Sequence, residues 1–302
     1  MAIALDSSSL HIPEILSPAI FIADAHYIPE PNHTFTLDFS KLESSQNTRV
    51  ESPLESKWEF LDSSSPYPCY IGKNGFIGLL QSLLLNPPTQ LFLMGDIAHL
   101  FIPHITHNAV IHREFITLLN ALSHRMEVFY FEGNHDFGLD SRLLPRVKIY
   151  PRKLQPAVFT YQNKLFLLSH GDCFITKGYE YYITALSAPF TLSVLKLIDT
   201  ISLGYIHSCA RSLVNAKHIK SLALNEYDFR DFASKRIAAY KHYTYCNAHD
   251  LPTLQNQVHK PYKQTPEKCD FGVIEGHFHI GKKWQNFFAL PSFYCEKRIL
   301  VL

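Results

Sequence analysis

The 302-residue sequence is poor in the features that mark several common classes of protein. Its six cysteines stand singly, without a C-x-x-C pair, which argues against a disulfide framework and indicates reduced thiols. Lys and Arg together number 28 against 27 for Asp and Glu, so no overall field favours nucleic acid as a partner. Neither a P-loop nor a G-x-S-x-G pattern occurs, so the sequence gives no sign of P-loop phosphate binding or of a serine nucleophile.

The sequence also lacks a segment of the kind that enters or crosses a membrane. Within residues 1–16 no basic residue precedes an apolar core and acidic side chains intervene, so we predict no secretory signal and expect a cytoplasmic protein. The most apolar stretch, residues 183–207, is interrupted by Pro189, Lys196 and Asp199, which argues against a bilayer-spanning helix.

What the sequence does contain is a series of short apolar runs, each with the length and composition of a buried strand. They are residues 20–23, 91–94, 128–131, 165–168 and 271–274. Helical patterns at 75–85 and 112–124 precede the second and third runs. This alternation predicts an α/β fold. The Ser- and Pro-rich stretch 29–68 is interpreted as a surface insertion.

A cluster of polar residues follows each apolar run. The clusters are Asp24-Ala25-His26, Gly95-Asp96, Gly133-Asn134-His135-Asp136, Ser169-His170-Gly171-Asp172 and Gly276-His277-Phe278-His279. In layered α/β proteins the carboxyl ends of the strands line one crevice, so we expect these clusters to converge. Carboxylate, amide and imidazole groups together suit a pair of divalent cations, and manganese more than magnesium or a structural zinc.

The predicted ligands form two sets that share one carboxylate. We expect one cation between Asp24, His26 and His279, a second between Asn134, His170 and His277, and Asp96 as the bridge. Taken singly, the motifs are also compatible with purely structural roles, because Asp24 and His26 suit a helix cap and Gly95-Asp96 suits a turn. Their order along the chain and their positions at strand ends favour the metal centre.

The motif series D-x-H, G-D, G-N-H-D, H and G-H-x-H resembles that of the calcineurin-like metallophosphoesterase superfamily. The resemblance implies a four-layer α-β-β-α sandwich, two bound metals with the ligands given above, and hydrolysis of a phosphoester or phosphoanhydride. It also implies that His135 is the catalytic side chain that faces the scissile phosphate and stabilises or protonates the leaving oxygen. One position departs from the family pattern. His99 stands where members usually carry an acidic residue that orients this histidine, and either Asp136 or a carboxylate from elsewhere in the chain is a candidate replacement.

Residues 173–260 form a second pattern, a helical insertion within a catalytic domain that we expect to cover residues 1–302. Helical segments are predicted at 179–188, 192–221 and 227–243. An insertion at this place resembles the lid of the UDP-2,3-diacylglucosamine hydrolases of lipid A synthesis. The resemblance implies a nucleotide-sugar lipid as substrate, which is cleaved at its pyrophosphate to UMP and 2,3-diacylglucosamine 1-phosphate. It also implies a peripheral position at the cytosolic face of the inner membrane.

In such a lid an apolar groove holds the acyl chains, and the predicted substrate contacts are Arg211, Asn215 and Lys220. The apolar residues of 186–203 would equally fit the seam of a helical pair, and the basic residues a solvated face. Two other functions stay open. One is a soluble nucleotide, phosphomonoester or phosphodiester phosphatase, and the other is a non-catalytic scaffold with the phosphoesterase fold. The complete set of metal ligands favours an enzyme over the scaffold.

Overall fold

The structure, a computed structural model, describes residues 12–29, 57–62, 75–205, 208–209, 212, 218–246 and 271–302. These residues form an α/β fold with two mixed β-sheets. The strands in chain order are β1 (Ala19–Ile22), β2 (Glu59–Leu61), β3 (Gln90–Leu93), β4 (Glu127–Phe131), β5 (Lys148–Tyr150), β6 (Ala157–Tyr161), β7 (Lys164–Ser169), β8 (Gly272–Glu275), β9 (Lys282–Trp284), β10 (Phe287–Ala289) and β11 (Ile299–Val301). The five apolar runs are confirmed as β1, β3, β4, β7 and β8.

The helices are α1 (Gly75–Leu85), α2 (Thr106–Ile111), α3 (Arg113–Ser123), α4 (Lys177–Ser187), α5 (Pro189–Ile201), α6 (Glu226–Cys246) and α7 (Phe293–Glu296). Helices α1 and α3 confirm the predictions at 75–85 and 112–124. The single helix predicted over 192–221 is wrong, because α5 ends at Ile201. Leu203 and Gly204 follow with φ angles of 51° and 80°, and a left-handed glycine after the last turn is a common helix stop.

The first sheet has the strand order β2-β11-β1-β3-β4-β5. Strands β1, β3, β4 and β5 run parallel, whereas β11 is antiparallel to both β1 and β2. Strand β2 comes from the stretch 29–68 that the sequence indicated as a surface insertion. Its Leu61 is buried opposite Ile299 of β11, so this part of the stretch belongs to the sheet. Residues 30–56 and 63–68 lie outside the described part of the chain.

The second sheet has the order β6-β7-β8-β10-β9. Strand β7 is parallel to β8, and β8 is parallel to β10. Because β7 and β8 are neighbours, residues 170–271 form one long crossover connection between them. The predicted insertion 173–260 lies within this connection.

Side chains alternate between the two faces of the first sheet, as expected for extended strands. On β1, Ile20 belongs to the apolar cluster formed with α1 and α3, whereas Phe21 belongs to the cluster shared with the second sheet. Phe92 stacks between Phe21 and Phe129 at ring-centroid distances of 4.4 and 4.6 Å. It also meets Phe159 of β6 edge-on at 5.5 Å. This aromatic layer fixes how the two sheets face one another.

The helices of the long crossover have two different environments. Helix α6 packs Phe229 and Ala233 against Leu167 and Val273 on the second sheet, so it is part of the folded core. Helices α4 and α5 instead carry many exposed apolar side chains. In the described residues no single helix is long and apolar enough to span a membrane, and the one pair that passes this test together, α4 and α5, is bent by 55°.

Candidate metal centre

The predicted ligands lie where the parallel strands end. In the first sheet, Asp24 follows β1, Asp96 follows β3 and Asn134 follows β4. In the second sheet, His170 follows β7 and His277 follows β8. Neighbouring strands are parallel within each of these groups, so their carboxyl ends open on one side of the sheet, where ligand sites of α/β proteins are found.

Left-handed backbone conformations occur at several of the predicted ligands. The φ angle is 51° at Asp24, 42° at His26, 52° at Asp96, 66° at His277 and 53° at His279. A residue with a Cβ atom pays on the order of 1–3 kcal/mol for such a conformation, and strain of this kind collects at functional sites. The concentration of strained residues at these strand ends therefore indicates a site rather than a set of ordinary turns.

The first cluster consists of Asp24, His26 and His279, whose ligand atoms all lie within 4.8 Å of one another. All three side chains are buried. His279 Nε2 is 3.2 Å from Asp24 Oδ1. The Nδ1 of His279 lies 3.0 Å from the carbonyl oxygen of Lys220, to which it donates. That hydrogen bond directs Nε2 towards the cluster.

The second cluster consists of Asp96, His170 and His277, again with ligand atoms within 4.8 Å of one another. His170 Nε2 is 3.6 Å from Asp96 Oδ2 and 3.2 Å from His277 Nδ1. Asn134 adjoins the cluster, with its Oδ1 3.3 Å from the same nitrogen. His170 Nδ1 donates to the carbonyl oxygen of Met94 at 3.0 Å, so its Nε2 is held towards the other ligands.

Asp96 lies between the two clusters. Its Oδ2 is 4.0 Å from His26 Nε2 and 3.6 Å from His170 Nε2, and its Oδ1 accepts the backbone N–H of His135 at 2.8 Å. Burial raises the pKa of Asp96, but the neighbouring imidazoles, His170 first, outweigh it and hold that pKa well below its usual range. Burial lowers the pKa of His170, but Asp96 and then Asp24 raise it to about 9. Asp96 is therefore ionised, as a bridging ligand must be.

The buried polar atoms of the first cluster fit a divalent cation. His26 Nε2 is buried and has no hydrogen-bond partner among the described residues, and the buried Asp24 Oδ1 faces Nε2 of His279 at 3.2 Å. Burial lowers the pKa of His26 and that of His277 to about 4, so both rings are neutral near pH 7 and offer a lone pair. Buried polar atoms without partners are rare because they are costly. A cation in the first cluster would satisfy these atoms, and the carboxylate, amide and imidazole groups of the two clusters match manganese chemistry.

His135, the predicted catalytic residue, stands beside the first cluster and packs against two other imidazoles. Its ring meets that of His26 edge-on, with centroids 5.1 Å apart. It is stacked on the ring of His99 at 4.6 Å with an interplanar angle of 16°. His99 is buried, and its Nδ1 lies 3.1 Å from Nδ1 of His26. The position where the family usually carries an acid is thus occupied by a ring that contacts both a predicted ligand and the predicted catalytic residue.

Asp136 supports the metal centre from behind and does not orient His135. Its carboxylate accepts the backbone N–H groups of Asp96, Ile97 and Gly133 and the hydroxyl of Tyr130, at 2.6–2.8 Å. These four hydrogen bonds join the turn after β3 to the turn after β4. The expectation that Asp136 replaces the orienting acid is wrong, because both of its oxygens are engaged in this support.

Sequence analysis did not identify the buried ion pair that connects α6 to the metal-bearing turns. Arg236 on α6 lies 2.6 Å from Glu275 and donates to the carbonyl oxygen of Gly171 at 2.9 Å. Glu275 ends the strand before His277, and Gly171 follows His170. The sequence did hold a signal, since an acidic residue inside an apolar strand needs a buried cationic partner.

Of the predicted substrate contacts, Lys220 touches the candidate metal centre through its main chain rather than its side chain. Its side chain is exposed, and the contact with His279 is made by its main-chain carbonyl. A substrate contact by the Lys220 ammonium group stays a prediction. Arg211 and Asn215 lie outside the described residues.

Comparison with known proteins leaves the interpretation to the geometry. No protein-family model matches the chain, and no curated protein matches it at a significant level. The functional assignment therefore depends on the motifs and on where the fold places them.

Proposed function

We propose that this chain is a dinuclear-metal phosphoesterase of the calcineurin-like type that hydrolyses the pyrophosphate of UDP-2,3-diacylglucosamine. The products would be UMP and 2,3-diacylglucosamine 1-phosphate, as in lipid A synthesis. The observation that carries the proposal is that the predicted ligands from both sheets come together as two clusters with Asp96 between them. Residues that are distant in sequence and serve only as turns or caps have no reason to converge in this way.

The packing order of the elements supports the same family. Helices α1 and α3 cover one face of the first sheet, the two sheets pack on one another, and α6 covers the far face of the second sheet. This order supports the four-layer α-β-β-α sandwich that the motif series implies. In that arrangement the strand ends of both sheets contribute to a single centre.

We assign one cation to Asp24, His26 and His279, a second to Asn134, His170 and His277, and Asp96 to both. When bound, such a pair supplies Lewis-acid stabilisation to phosphate oxygens and makes water more acidic. The protein's own part is to fix the ligand tautomers and to keep the ligands buried or half-buried. His135, at the edge of the first cluster, is placed to donate to the oxygen of the leaving group.

The exposed face of α5 supports a lipid substrate. Phe190, Leu197 and Ile201 are 79%, 59% and 74% exposed, and their spacing places them on one side of the helix. The opposite side, with Leu192 and Leu195, packs against the body of the protein. An apolar face that is left exposed in this way is typical of surfaces that bind lipid or another apolar partner. It suits a peripheral enzyme at the cytosolic membrane surface.

The test is hydrolysis of UDP-2,3-diacylglucosamine in detergent micelles by the purified protein with Mn²⁺, with UMP measured by chromatography. A nucleotide and p-nitrophenyl phosphate serve as soluble comparison substrates. Release of UMP that disappears with EDTA is expected. Turnover of the soluble substrates alone would make the chain a soluble phosphatase. Absence of both metal binding and turnover would leave a phosphoesterase-fold scaffold and reject the proposal.

His135→Ala separates catalysis from metal binding. Because His135 is not among the assigned ligands, the variant is expected to keep two Mn²⁺ ions per chain and to lose rate by roughly 10²–10⁴-fold, the usual contribution of a general acid. Metal content is measured by elemental analysis alongside kcat. A variant that loses a metal ion would instead make His135 a ligand.

A further inference from the structure

His99 is the residue in the metal centre for which the family pattern gives no role. Its backbone position is fixed by hydrogen bonds between two turns: the N–H of His26 donates to Asp96, that of Tyr27 to Ile97, and that of His99 to Tyr27, at 2.8–2.9 Å. The turn after β1 and the turn after β3 are thereby joined like a short pair of strands. The rings of His26 and His99 are held edge-on to one another as a result, with centroids 5.2 Å apart.

For His26 to bind a cation of the first cluster through Nε2, the contact between these two rings must have one particular arrangement. The two Nδ1 atoms are 3.1 Å apart, so one of them donates a proton to the other. A neutral imidazole carries a single N–H. If Nδ1 of His26 donates, its Nε2 keeps a lone pair that faces Asp24 and His279. If it accepts, Nε2 carries the proton and cannot bind a cation.

We propose that His99 is a positioning residue for the first metal site, whose Nδ1 accepts the Nδ1 proton of His26 and so keeps His26 Nε2 free for the cation. This inference rests on the proposed metal centre. Ligating histidines commonly pass their second nitrogen to a carboxylate or carbonyl that fixes the tautomer. Here a second histidine does so. His99 therefore orients His26 without adding a negative charge beside the cations.

The stacking of His99 on His135 gives the same residue a second contact that must be separated from the first. In His99→Asn the side-chain Oδ1 stands near the place of Nδ1, so the acceptor is kept while the ring is lost. In His99→Phe the ring is kept and the acceptor is lost. The exposed His124, at the end of α3, gives a matched control as His124→Phe.

Metal affinity is measured by calorimetric titration of Mn²⁺ into the metal-free protein. In His99→Phe the affinity of one of two sites should fall by about 10–100-fold, the usual cost of losing the partner of a ligating histidine. The second site of His99→Phe should keep the Mn²⁺ affinity of the unaltered protein. Both sites of His99→Asn and of His124→Phe should keep it as well. Weakening in His99→Asn but not in His99→Phe would show that the ring matters and would overturn the proposal. Unchanged affinity in His99→Phe would overturn it as well.

A second readout does not need metal. Long-range ¹H–¹⁵N NMR of the metal-free protein reports which nitrogen of His26 carries the proton. We expect Nδ1–H in the unaltered protein and in His99→Asn, and a gain of the Nε2–H form in His99→Phe. A protein that binds no Mn²⁺ would refute the proposed function, but the tautomer of His26 would still decide the role of His99. If Nε2 rather than Nδ1 of His26 carries the proton in the unaltered protein, the proposed role of His99 is refuted.

Discussion

Gly133 shows how closely the turn after β4 packs against Asp96, which lies between the two clusters. A Cβ atom at position 133 would overlap both the carboxylate Oδ1 and the backbone nitrogen of Asp96, and would lie 3.0 Å from Asp136. Gly133 is therefore required by the close approach of the turns after β3 and β4. The bridging position of Asp96 depends on a residue that offers no ligand atom.

Gly133→Ala is expected to impair metal binding at both sites without removing a ligand. The added methyl group must displace the Asp96 carboxylate, which lies between the two clusters. Mn²⁺ stoichiometry by elemental analysis is the measurement, with circular dichroism to confirm folding. Gly178→Ala on α4 is the control, because a Cβ there meets nothing within 4 Å. Full metal content in a folded Gly133→Ala protein would place the bridge elsewhere.

At the scale of secondary-structure elements, the long crossover divides into two parts with different tasks. Helix α6 covers the second sheet and supplies Arg236, whereas α4 and α5 expose apolar side chains. Part of the predicted lid at 173–260, helix α6, therefore belongs to the folded core. The exposed and the core helices should respond differently to substitution.

The exposed face of α5 is tested by the double change Leu197→Glu and Ile201→Glu. Both side chains are largely exposed, so the cost in folding free energy should stay near the roughly 0.5 kcal/mol typical of surface changes. Hydrolysis of the diacylated substrate in vesicles should fall, while that of bis(p-nitrophenyl) phosphate persists. Leu85→Glu, on an exposed residue at the end of α1, is the control. If the double change alters the rates on both substrates by the same factor relative to the unaltered protein, the result would argue against a lipid-binding face.

The buried pair on α6 is tested by Arg236→Met. The substitution leaves Glu275 buried without its cationic partner, and loss of one member of a buried pair costs about 3–5 kcal/mol. The free energy of unfolding is measured by denaturant titration. Arg236→Met combined with Glu275→Met should recover much of the loss. The neighbouring Lys235, whose ion pair with Asp231 is exposed, should tolerate Lys235→Met with little effect. A small loss in Arg236→Met would show that water reaches Glu275.

At the scale of the whole molecule, the proposed metal centre lies where the two sheets meet. The first cluster combines Asp24 and His26 from the first sheet with His279 from the second, and the second cluster combines Asp96 with His170 and His277. A cation bound in either place therefore bridges the two sheets. A ligand that binds the folded state but not the unfolded state stabilises the folded state by mass action.

Mn²⁺ should accordingly raise the unfolding temperature. At a free concentration about one hundred times the dissociation constant, each site adds about 2.7 kcal/mol to the free energy of unfolding. Scanning calorimetry with Mn²⁺ and with EDTA measures the difference. Asp96→Asn should lose most of it, and Asp231→Asn, on the exposed side of α6, should keep it. A rise of the same size in Asp96→Asn would mean that the ions bind outside the proposed centre.

The parts of the fold that are encoded locally could be predicted from the sequence. Apolar runs predicted the five central strands, and the polar residues after them come together in the structure as predicted, although their binding of metal stays a prediction. Pairings between distant segments could not be predicted, because they have no local signal. Strand β2 is recruited by β11, and Arg236 finds Glu275 across 39 positions. The contact between Nδ1 of His99 and Nδ1 of His26 also depends on a pairing between distant segments.

The hydrogen bond from His279 to the carbonyl of Lys220 has a consequence for how this crossover changes over evolution. Every amino acid carries that acceptor, so the contact is indifferent to the side chain at position 220. Position 220 can therefore change in sequence while its carbonyl continues to hold a predicted metal ligand in place. Variation there would look like that of a dispensable loop, although shortening it by a single residue would shift the acceptor and release the ring.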